Sequence, residues 1–322
     1  MSRRNNVLTE SDNEKMLKFS KSYVTSYDEA LKIFLNDCEL RNLREHTIKY
    51  YRSELSVAYK YLRDQEIDSN PTLITEEHIK EFIIKYMRRK GLKVVTINTR
   101  LRAIRAFFNF LFDQGYISKN PVKNMKLLKD QRTIINTFTR KQLKDLLAQP
   151  DLRTFTGIRD YTIMMILLDT GIRANELVHT DITDVSFEDS TLKVRRAKGR
   201  SQRVVPISGE MKKQLKKYLA IRGYVEEDSL FLTIDNKRIT KRAMQQMLIK
   251  YGSKAKIKDV RCSPHTFRHT FAKLSVQNGA GIFELQQILG HSSLEIVRVY
   301  VNLFSNDVKD KHRKFTPLNL LM

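Results

Sequence analysis

The sequence lacks the features expected of a secreted or membrane-embedded protein. It has only two cysteines, Cys38 and Cys262. They are far apart, so we expect reduced thiols that act as packing residues rather than a disulfide framework. No apolar run approaches the roughly 20 residues that a spanning helix needs. The polar start, residues 1–6, has no apolar signal-peptide region. These absences predict a cytoplasmic protein without a membrane partner.

Acidic residues are also scarce relative to basic ones. The 322 residues include 59 Lys or Arg against 36 Asp or Glu, for a formal net charge of +23. Such a balance favours a polyanionic partner, with nucleic acid the first candidate and a membrane surface the second. The length favours two domains, and 41% hydrophobic residues are enough for packed cores.

The imbalance is strongest in residues 85–132, where thirteen Lys or Arg face only Asp113 and Asp130. One segment of this region carries an apolar stripe at helical spacing, made of Leu101, Ile104, Phe107, Phe108, Leu111 and Phe112. Three arginines fall largely off that stripe: Arg100, Arg102 and Arg105. A basic run is usually a solvated surface, but the lack of compensating acids favours contact with DNA phosphates.

The rest of the chain predicts a mainly helical protein with one small sheet. Amphipathic or apolar helical patterns cover most of residues 27–112 and 139–289. Residues 182–207 instead alternate as three strands with turns near Asp189 and Lys198, which predicts a three-stranded antiparallel sheet. Between the two helical regions, residues 116–136 follow Gly115 and contain Asn120–Pro121 and several lysines, as in an interdomain linker. Lys123 and Lys126 in this linker are positioned to cross phosphates.

Near the carboxyl end, the run from Ser263 to Tyr300 combines several polar groups. Ser263 followed by Pro264 predicts a helix start, which puts His265 and Arg268 one turn apart on one face, beside amide groups that favour anions. Gly290 suits a left-handed helix end. His291 then lies in a turn before a capping box, and Tyr300 follows nine residues later. Without the other motifs, Tyr300 is best interpreted as a buried core residue.

Five pieces of sequence in order resemble the tyrosine recombinase (phage integrase) family. Thr170-Gly171-Ile172-Arg173-Ala174-Asn175-Glu176-Leu177 is similar to the box around the family's first arginine, and Ala197-Lys198-Gly199 to its lysine hairpin. The His265/Arg268 pair, His291 and Tyr300 match the remaining signature positions. Each piece alone is weak, but all five occur in order at family-like spacing, and the resemblance extends over roughly residues 27–305.

The resemblance implies a role for each matched residue. Tyr300 would be the nucleophile that forms a 3′-phosphotyrosyl intermediate, and His265 the base or proton shuttle. Arg173, Arg268 and His291 would stabilise the charge on the phosphate oxygens, and Lys198 would protonate the leaving 5′-oxygen. Glu176 would orient an arginine or histidine without touching DNA. No metal, nucleotide or other cofactor is implied.

The resemblance also implies an architecture, a two-domain C-shaped DNA clamp with a helical core-binding domain and an α+β catalytic domain. The expected boundaries are a flexible lead at 1–26, the core-binding domain at 27–117, a basic linker at 118–136, the catalytic domain at 137–308 and a tail at 309–322. The tail would be exchanged between protomers of a homotetramer on double-stranded DNA recombination sites, with an accessory protein or partner recombinase possible. The expected location is the nucleoid of a bacterial or archaeal cytoplasm.

Other interpretations stay open from the sequence. A type IB topoisomerase shares the chemistry without a defined site, and a catalytically silent DNA-binding protein shares the basic surface. Transposon or phage integration and chromosome resolution require the same cleavage. Cys262, His265 and His269 superficially have metal-ligand spacing, but a convincing fourth ligand is missing.

Overall fold

The computed structural model describes residues 24, 26–129, 136–195 and 202–290. The chain divides into two compact units, Met1–Thr133 and Ile134–Met322. Each unit has its own apolar core. In the part of the chain that is described, no helix is both long and apolar enough to cross a bilayer.

The first unit is helical. Its elements in chain order are α1 (Tyr27–Leu40), α2 (Glu45–Arg63), α3 (Glu76–His78), a π-helical segment (Ile79–Lys85), α4 (Tyr86–Arg89) and α5 (Val94–Asp113). Side-chain caps define two of the starts. Ser26 accepts a hydrogen bond from the Glu29 amide, and Thr75 accepts one from the His78 amide. Each cap satisfies an amide that has no partner within the helix.

Helix α5 forms the centre of the first core, where it packs against α1 and α2. The Phe107 ring lies 5.1–5.6 Å from three other aromatic rings, those of Tyr27, Phe34 and Phe108. The predicted stripe is buried from Leu101 to Leu111. Its last member does not follow the prediction, because Phe112 is 42% exposed and lies at the edge of the buried face.

The predicted linker begins inside this core rather than after it. Ile117, Val122 and Met125 are buried with the first unit's apolar residues. The Asn98 side chain of α5 bonds to both the amide and the carbonyl of Leu128. Residues 117–128 therefore pack on the first unit through their apolar side chains, which lie between the lysines that predicted a basic interdomain linker.

The second unit is mainly helical with one sheet. Its elements are α6 (Arg140–Leu147), α7 (Phe155–Thr170), α8 (Ala174–Val178), a 3₁₀ turn (Ile182–Asp184), β1 (Val185–Ser186), β2 (Thr191–Val194), β3 (Arg203–Pro206), α9 (Gly209–Arg222), α10 (Lys241–Lys254), α11 (Pro264–Gln277) and α12 (Ile282–Leu289). The sheet has the order β1-β2-β3 and is antiparallel throughout. The mainly α fold with a small antiparallel sheet is thus confirmed.

Helix α7 is the centre of the second core and packs against α9 and α11. It ends at Gly171, whose φ of 59° is left-handed. A Cβ on Gly171 would lie 2.5 Å from the Phe271 ring and 2.8 Å from a Leu289 methyl. Glycine is therefore required both by the backbone conformation and by the close approach of α11 and α12. This tight corner fixes the direction in which the chain leaves toward Arg173.

The sheet buries one face against the same core. Leu192 and Val205 pair across β2 and β3 and are both fully buried, whereas the neighbouring Val204 is 57% exposed. This alternation matches the two-residue period of a half-buried strand. Helix α12 packs against β3. Three features consequently meet in one region of the second unit: the end of α7, the end of α12, and the positions where β2 ends and β3 begins, which we call the two feet of the β2–β3 hairpin.

Candidate active site

Helix α11 begins at the predicted position. The Ser263 hydroxyl accepts a hydrogen bond from the Thr266 amide, and Pro264 occupies the first helical position. His265 is exposed in the first turn, whereas Arg268, one turn on, is only 4% exposed. The Arg268 guanidinium donates to the Gly171 carbonyl at 2.7 Å and to the Leu289 carbonyl at 2.8 Å. Arg268 therefore ties the corner after α7 to the end of α12.

Arg173 lies two residues past Gly171, at the N-cap of α8. The positive end of a helix dipole is a poor place for a cation unless an anion lies close by. The structure supplies an anion within the chain. Arg173 Nη1 donates to Glu176 Oε1 at 2.9 Å. Its Nη2 donates to the Gly290 carbonyl at 3.1 Å, and 41% of the side chain stays exposed.

The carboxyl end of α12 collects three arginines. Gly290 has a φ of 62° and ends the helix in the predicted left-handed conformation. The last carbonyls of a helix have no partner within it and carry partial negative charge. Arg203 Nε donates to the Ile288 carbonyl at 2.9 Å, and Arg268 and Arg173 donate to the next two carbonyls. Three consecutive carbonyls thus each hold a different guanidinium.

Glu176 holds two of these arginines together. Arg203 donates to both carboxylate oxygens, at 2.9 and 2.7 Å, and the Arg173 amide donates to Oε2 at 3.1 Å. Burial alone would raise the pKa of Glu176, but the hydrogen bonds and charges of Arg203 and Arg173 outweigh it and lower the pKa from 4.5 to about 2. Glu176 is therefore ionised at neutral pH.

Two histidines lie side by side on α11. The ring centroids of His265 and His269 are 4.0 Å apart, with the planes at 72°. Partial desolvation of the ring, whose outer part remains exposed, and the neighbouring Arg268 charge lower the pKa of His265. Burial, His265 and Arg268 lower the pKa of His269 from 6.5 to about 4. Both rings are accordingly neutral at pH 7, the state in which an imidazole accepts a proton.

Three predicted site residues lie outside the described residues: Lys198, His291 and Tyr300. Lys198 falls in sequence between β2 and β3, whose feet are described. Arg195, directly after β2, donates to Asp184 at 2.6 Å and to Asp181 at 2.8 Å. Arg203, the first residue of β3, bonds to Glu176. An arginine–carboxylate pair thus anchors each foot of this hairpin.

The sulfur of Cys262 is packed against neighbouring residues of the second unit. Cys262 is buried, its Sγ lies 3.9 Å from the Val260 carbonyl, and it contacts Gly252 so closely that a Cβ there would lie 2.2 Å from the sulfur. Within residues 24, 26–129, 136–195 and 202–290, no group of three or more His, Cys, Asp or Glu side chains could hold a metal ion.

The predicted DNA-contacting residues do not all share one environment. Arg102, Lys123 and Lys126 are exposed and Arg105 is half-buried, and none of them takes part in an ion pair among the described residues. Arg100 contradicts the prediction. Its side chain is 8% exposed and lies 2.9 Å from Glu54 on α2. Its guanidinium also donates to the Tyr61 hydroxyl at 3.2 Å, because it fills the α2–α5 interface.

Arg203 is the site residue that the sequence interpretation missed. It directly precedes the Val204-Val205-Pro206 run, which the sequence predicted as a strand and which is similar to the family's Val-Pro strand. A strand-initial arginine carries no distinctive signal, and its partner Glu176 is 27 residues away. Only the fold brings the two together.

Comparison with known proteins identifies the family of the chain. A model of the phage integrase family matches residues 136–307, just over half of the chain. A model of the phage integrase N-terminal SAM-like domain matches residues 31–115. The chain therefore belongs to the phage integrase family of tyrosine recombinases, whose members are DNA strand-exchange enzymes.

Individual relatives are similar over nearly their full length. Tyrosine recombinase XerC of Thermodesulfovibrio yellowstonii is 28% identical over 305 residues, covering 92% of this chain and 97% of the relative. Tyrosine recombinase XerD of Staphylococcus haemolyticus is 27% identical over 282 residues, covering 86% and 94%.

Two solved structures share the fold. The Tn1549 transposon integrase in complex with transposon right end DNA gives a TM-score of 0.71 at 22% identity, covering 88% of this chain and 97% of that one. The XerH site-specific recombinase bound to a palindromic difH substrate gives 0.70 at 20% identity, covering 95% and 93%.

Proposed function

We propose that this chain is a site-specific DNA recombinase that cuts and rejoins strands through a 3′-phosphotyrosyl intermediate and a Holliday junction. The observation that carries the proposal is the grouping of Arg173, Arg268 and Glu176 around the end of α12, with His265 one turn from Arg268. Two guanidiniums can stabilise the charge that develops on a phosphodiester in the transition state, and a neutral imidazole can accept the proton of a nucleophile. Family membership and the DNA-bound relatives support it.

The chemistry assigns one bond change to each residue. The Tyr300 phenol forms the new oxygen–phosphorus bond and gives its proton to His265, and the bond from phosphorus to the 5′-oxygen breaks. Lys198 donates a proton to that oxygen, which leaves a 5′-hydroxyl. Arg173, Arg268 and His291 stabilise the charge on the nonbridging oxygens. Attack by a 5′-hydroxyl from another strand reverses these steps and joins the new pair.

DNA binding is proposed to involve both units. The helical unit would contact phosphates of the recombination site through Arg102, Arg105, Lys123 and Lys126, all of them exposed or half-exposed. Arg100 is left out because it is committed to Glu54. We keep the division into a core-binding domain, a catalytic domain and a tail at 309–322 as part of this proposal.

Assembly is proposed to proceed by exchange of the tail between protomers of a homotetramer on two DNA sites, in a bacterial or archaeal nucleoid. The tail is basic from Lys309 to Lys314 and mostly apolar after it, so a free tail would leave apolar side chains uncovered. Deleting residues 315–322 should weaken synapsis of two sites and spare binding to one site. Unchanged synapsis in a gel-shift assay with paired sites would defeat tail exchange.

The experiment is denaturant-resistant crosslinking of the purified protein to nicked duplexes made from the DNA that flanks its gene. Wild type is compared with Tyr300→Phe, with EDTA present throughout. We expect a covalent band on a 3′-phosphate that the substitution abolishes and EDTA does not affect. An adduct that persists in Tyr300→Phe would show that another residue is the nucleophile. Binding without any adduct would favour a DNA-binding role.

A supercoiled plasmid without the flanking sites separates the recombinase from a type IB topoisomerase. A topoisomerase relaxes any supercoiled DNA, whereas a site-specific recombinase acts only where two sites can be brought together. We therefore expect no relaxation of that plasmid and recombination of one that carries two sites. Relaxation of both plasmids at similar rates would favour the topoisomerase.

A further inference from the structure

Arg203 is the arginine at the end of α12 that has no assigned role in strand exchange. Among the described residues, its side chain makes three polar contacts: two with the carboxylate of Glu176 and one with the Ile288 carbonyl. Its side chain is only 9% exposed, against 41% for Arg173. Nη1 and Nη2 bond to the Glu176 carboxylate and Nε bonds to the Ile288 carbonyl, so the orientation of the guanidinium plane is fixed from two sides. All three guanidinium nitrogens of Arg203 are thus bonded within the chain, which suits this side chain to hold a neighbour in place.

The neighbour is Arg173. Glu176 Oε1 accepts from Arg173 Nη1 and Arg203 Nη1, both at 2.9 Å, so one oxygen joins the two guanidiniums. Both arginines also bond to α12, at carbonyls two residues apart. Without Arg203, Glu176 would keep only its local bonds to Arg173, three residues before it. The carboxylate would then lose the charge that fixes its orientation, and Arg173 would lose a rigid partner.

Resting on the function proposed above, we propose that Arg203 is a positioning residue for strand exchange, which aligns Arg173 on the scissile phosphate through Glu176 and the carboxyl end of α12. Catalytic groups lose much of their effect when they are displaced by about 1 Å, a change that costs roughly 100-fold in rate. Removal of Arg203 should therefore slow the chemical step much more than it weakens DNA binding.

Arg195 provides a matched control. It anchors the other foot of the β2–β3 hairpin by an arginine–carboxylate pair, with Asp184 and Asp181. Among the described residues, the hydrogen bonds of its guanidinium go to Asp184, Asp181 and Thr183, and none reaches Arg173, Glu176 or α12. If hairpin anchoring alone mattered, Arg195→Gln and Arg203→Gln would have similar effects. If alignment of Arg173 matters, only Arg203→Gln slows cleavage strongly.

The first test measures single-turnover cleavage and DNA affinity with nicked duplexes made from the flanking DNA. We expect Arg203→Gln to cleave about 100-fold more slowly than wild type with affinity changed less than threefold. Arg203→Lys keeps the charge but cannot bond to both carboxylate oxygens of Glu176 as a guanidinium does, so its cleavage rate should be intermediate. Arg195→Gln should stay within threefold of wild type. Cleavage by Arg203→Gln within threefold of wild type would overturn the inference, as would an equal loss in Arg195→Gln.

A double-mutant cycle asks whether Arg203 acts through Arg173. Arg173→Lys retains a cation and should cleave slowly but measurably. If Arg203 only aligns Arg173, adding Arg203→Lys to Arg173→Lys should slow cleavage by less than threefold further. Multiplication of the two single effects would show independent contributions and overturn the inference. Using the lysine variants at both positions keeps the cycle measurable even where Arg203→Gln folds poorly.

A sulfur-substituted DNA distinguishes whether Arg203 acts through Arg173 or through Lys198. A duplex with sulfur in place of the leaving 5′-oxygen releases a thiolate. Thiols such as that of cysteine, with a pKa of about 8.5, are far more acidic than alcohols, so a thiolate leaves without a general acid. Loss of Arg203 should slow cleavage of this DNA as much as that of ordinary DNA. If the Arg203 variant cleaved the sulfur-substituted DNA at the wild-type rate, Arg203 would act through Lys198, and the inference would be overturned. Absence of a Tyr300-dependent adduct in wild type would instead refute the proposed function itself.

Discussion

Replacement of Glu176 by glutamine tests the electrostatic centre of the site. The carboxylate accepts from two guanidiniums and one amide, and its pKa is lowered from 4.5 to about 2. At about 1.4 kcal/mol for each pH unit, this lowering corresponds to about 3 kcal/mol of stability at pH 7. Glutamine imitates the protonated acid and turns an N–H donor toward the arginines, so Glu176→Gln should lose at least this amount.

The pH dependence follows from the direction of the shift. Because the folded-state pKa of Glu176 lies below the unfolded one, the stabilisation is present above pH 4.5 and is lost as the pH falls toward 2. The difference in unfolding free energy between wild type and Glu176→Gln should therefore be about 3 kcal/mol at pH 7 and about 1.4 kcal/mol at pH 3.

Urea denaturation followed by circular dichroism at pH 7, 5, 4 and 3 measures this difference. Glu210→Gln is the matched control, because Glu210 pairs with Lys213 where both side chains are more than 70% exposed. We expect Glu210→Gln to unfold like wild type at every pH. A Glu176→Gln loss below 1 kcal/mol at pH 7, or one that grows as the pH falls, would refute the reasoning.

Three further predictions concern separate parts of the molecule. Gly171→Ala should lower the stability of the second unit by more than 2 kcal/mol and slow cleavage, because it adds a steric clash to the cost of a left-handed alanine. Arg102→Gln with Arg105→Gln should weaken DNA binding and reduce the slope of log affinity against log salt by about 2, whereas Arg100→Gln should lower stability and leave that slope unchanged. The acid limb of the cleavage rate should have its midpoint below pH 6.5, because the pKa of His265 is lowered and the neutral ring accepts the proton.

Each of these has its own control and refuting result. Gly91→Ala places a side chain at a φ of 71° with nothing within 4 Å, so it should show the backbone cost of about 1 kcal/mol alone. Equal losses at Gly91 and Gly171 would remove the steric argument. Lys49→Gln, at an exposed lysine that pairs with Glu45 2.7 Å away, should leave the salt slope unchanged. An acid limb that stays in place in His265→Gln would assign it to another group.

The local features of the fold and site were accessible from the sequence because they rest on short-range chemistry. Ser263 caps α11, and Gly171 and Gly290 end their helices in the left-handed conformation, as their residue types predict. The antiparallel sheet followed from alternation. The environment of Arg100 did not follow, because helical spacing placed it beside the apolar stripe and gave no sign of Glu54 on another helix. The same limit hid the bond from Arg203 to Glu176, since pairing between distant residues depends on the fold.

The carboxyl end of α12 makes the chemistry of the site inseparable from the position of one short helix. Three guanidiniums are bonded to successive carbonyls of residues 288, 289 and 290. A phosphate bound by Arg173 and Arg268 would therefore favour the docked helix, and by reciprocal linkage the docked helix would favour the phosphate to the same extent. Any contact that pulls α12 away would lower phosphate affinity without touching DNA. Phosphate binding at the site and the position of the chain that continues from α12 toward Tyr300 would then depend on each other.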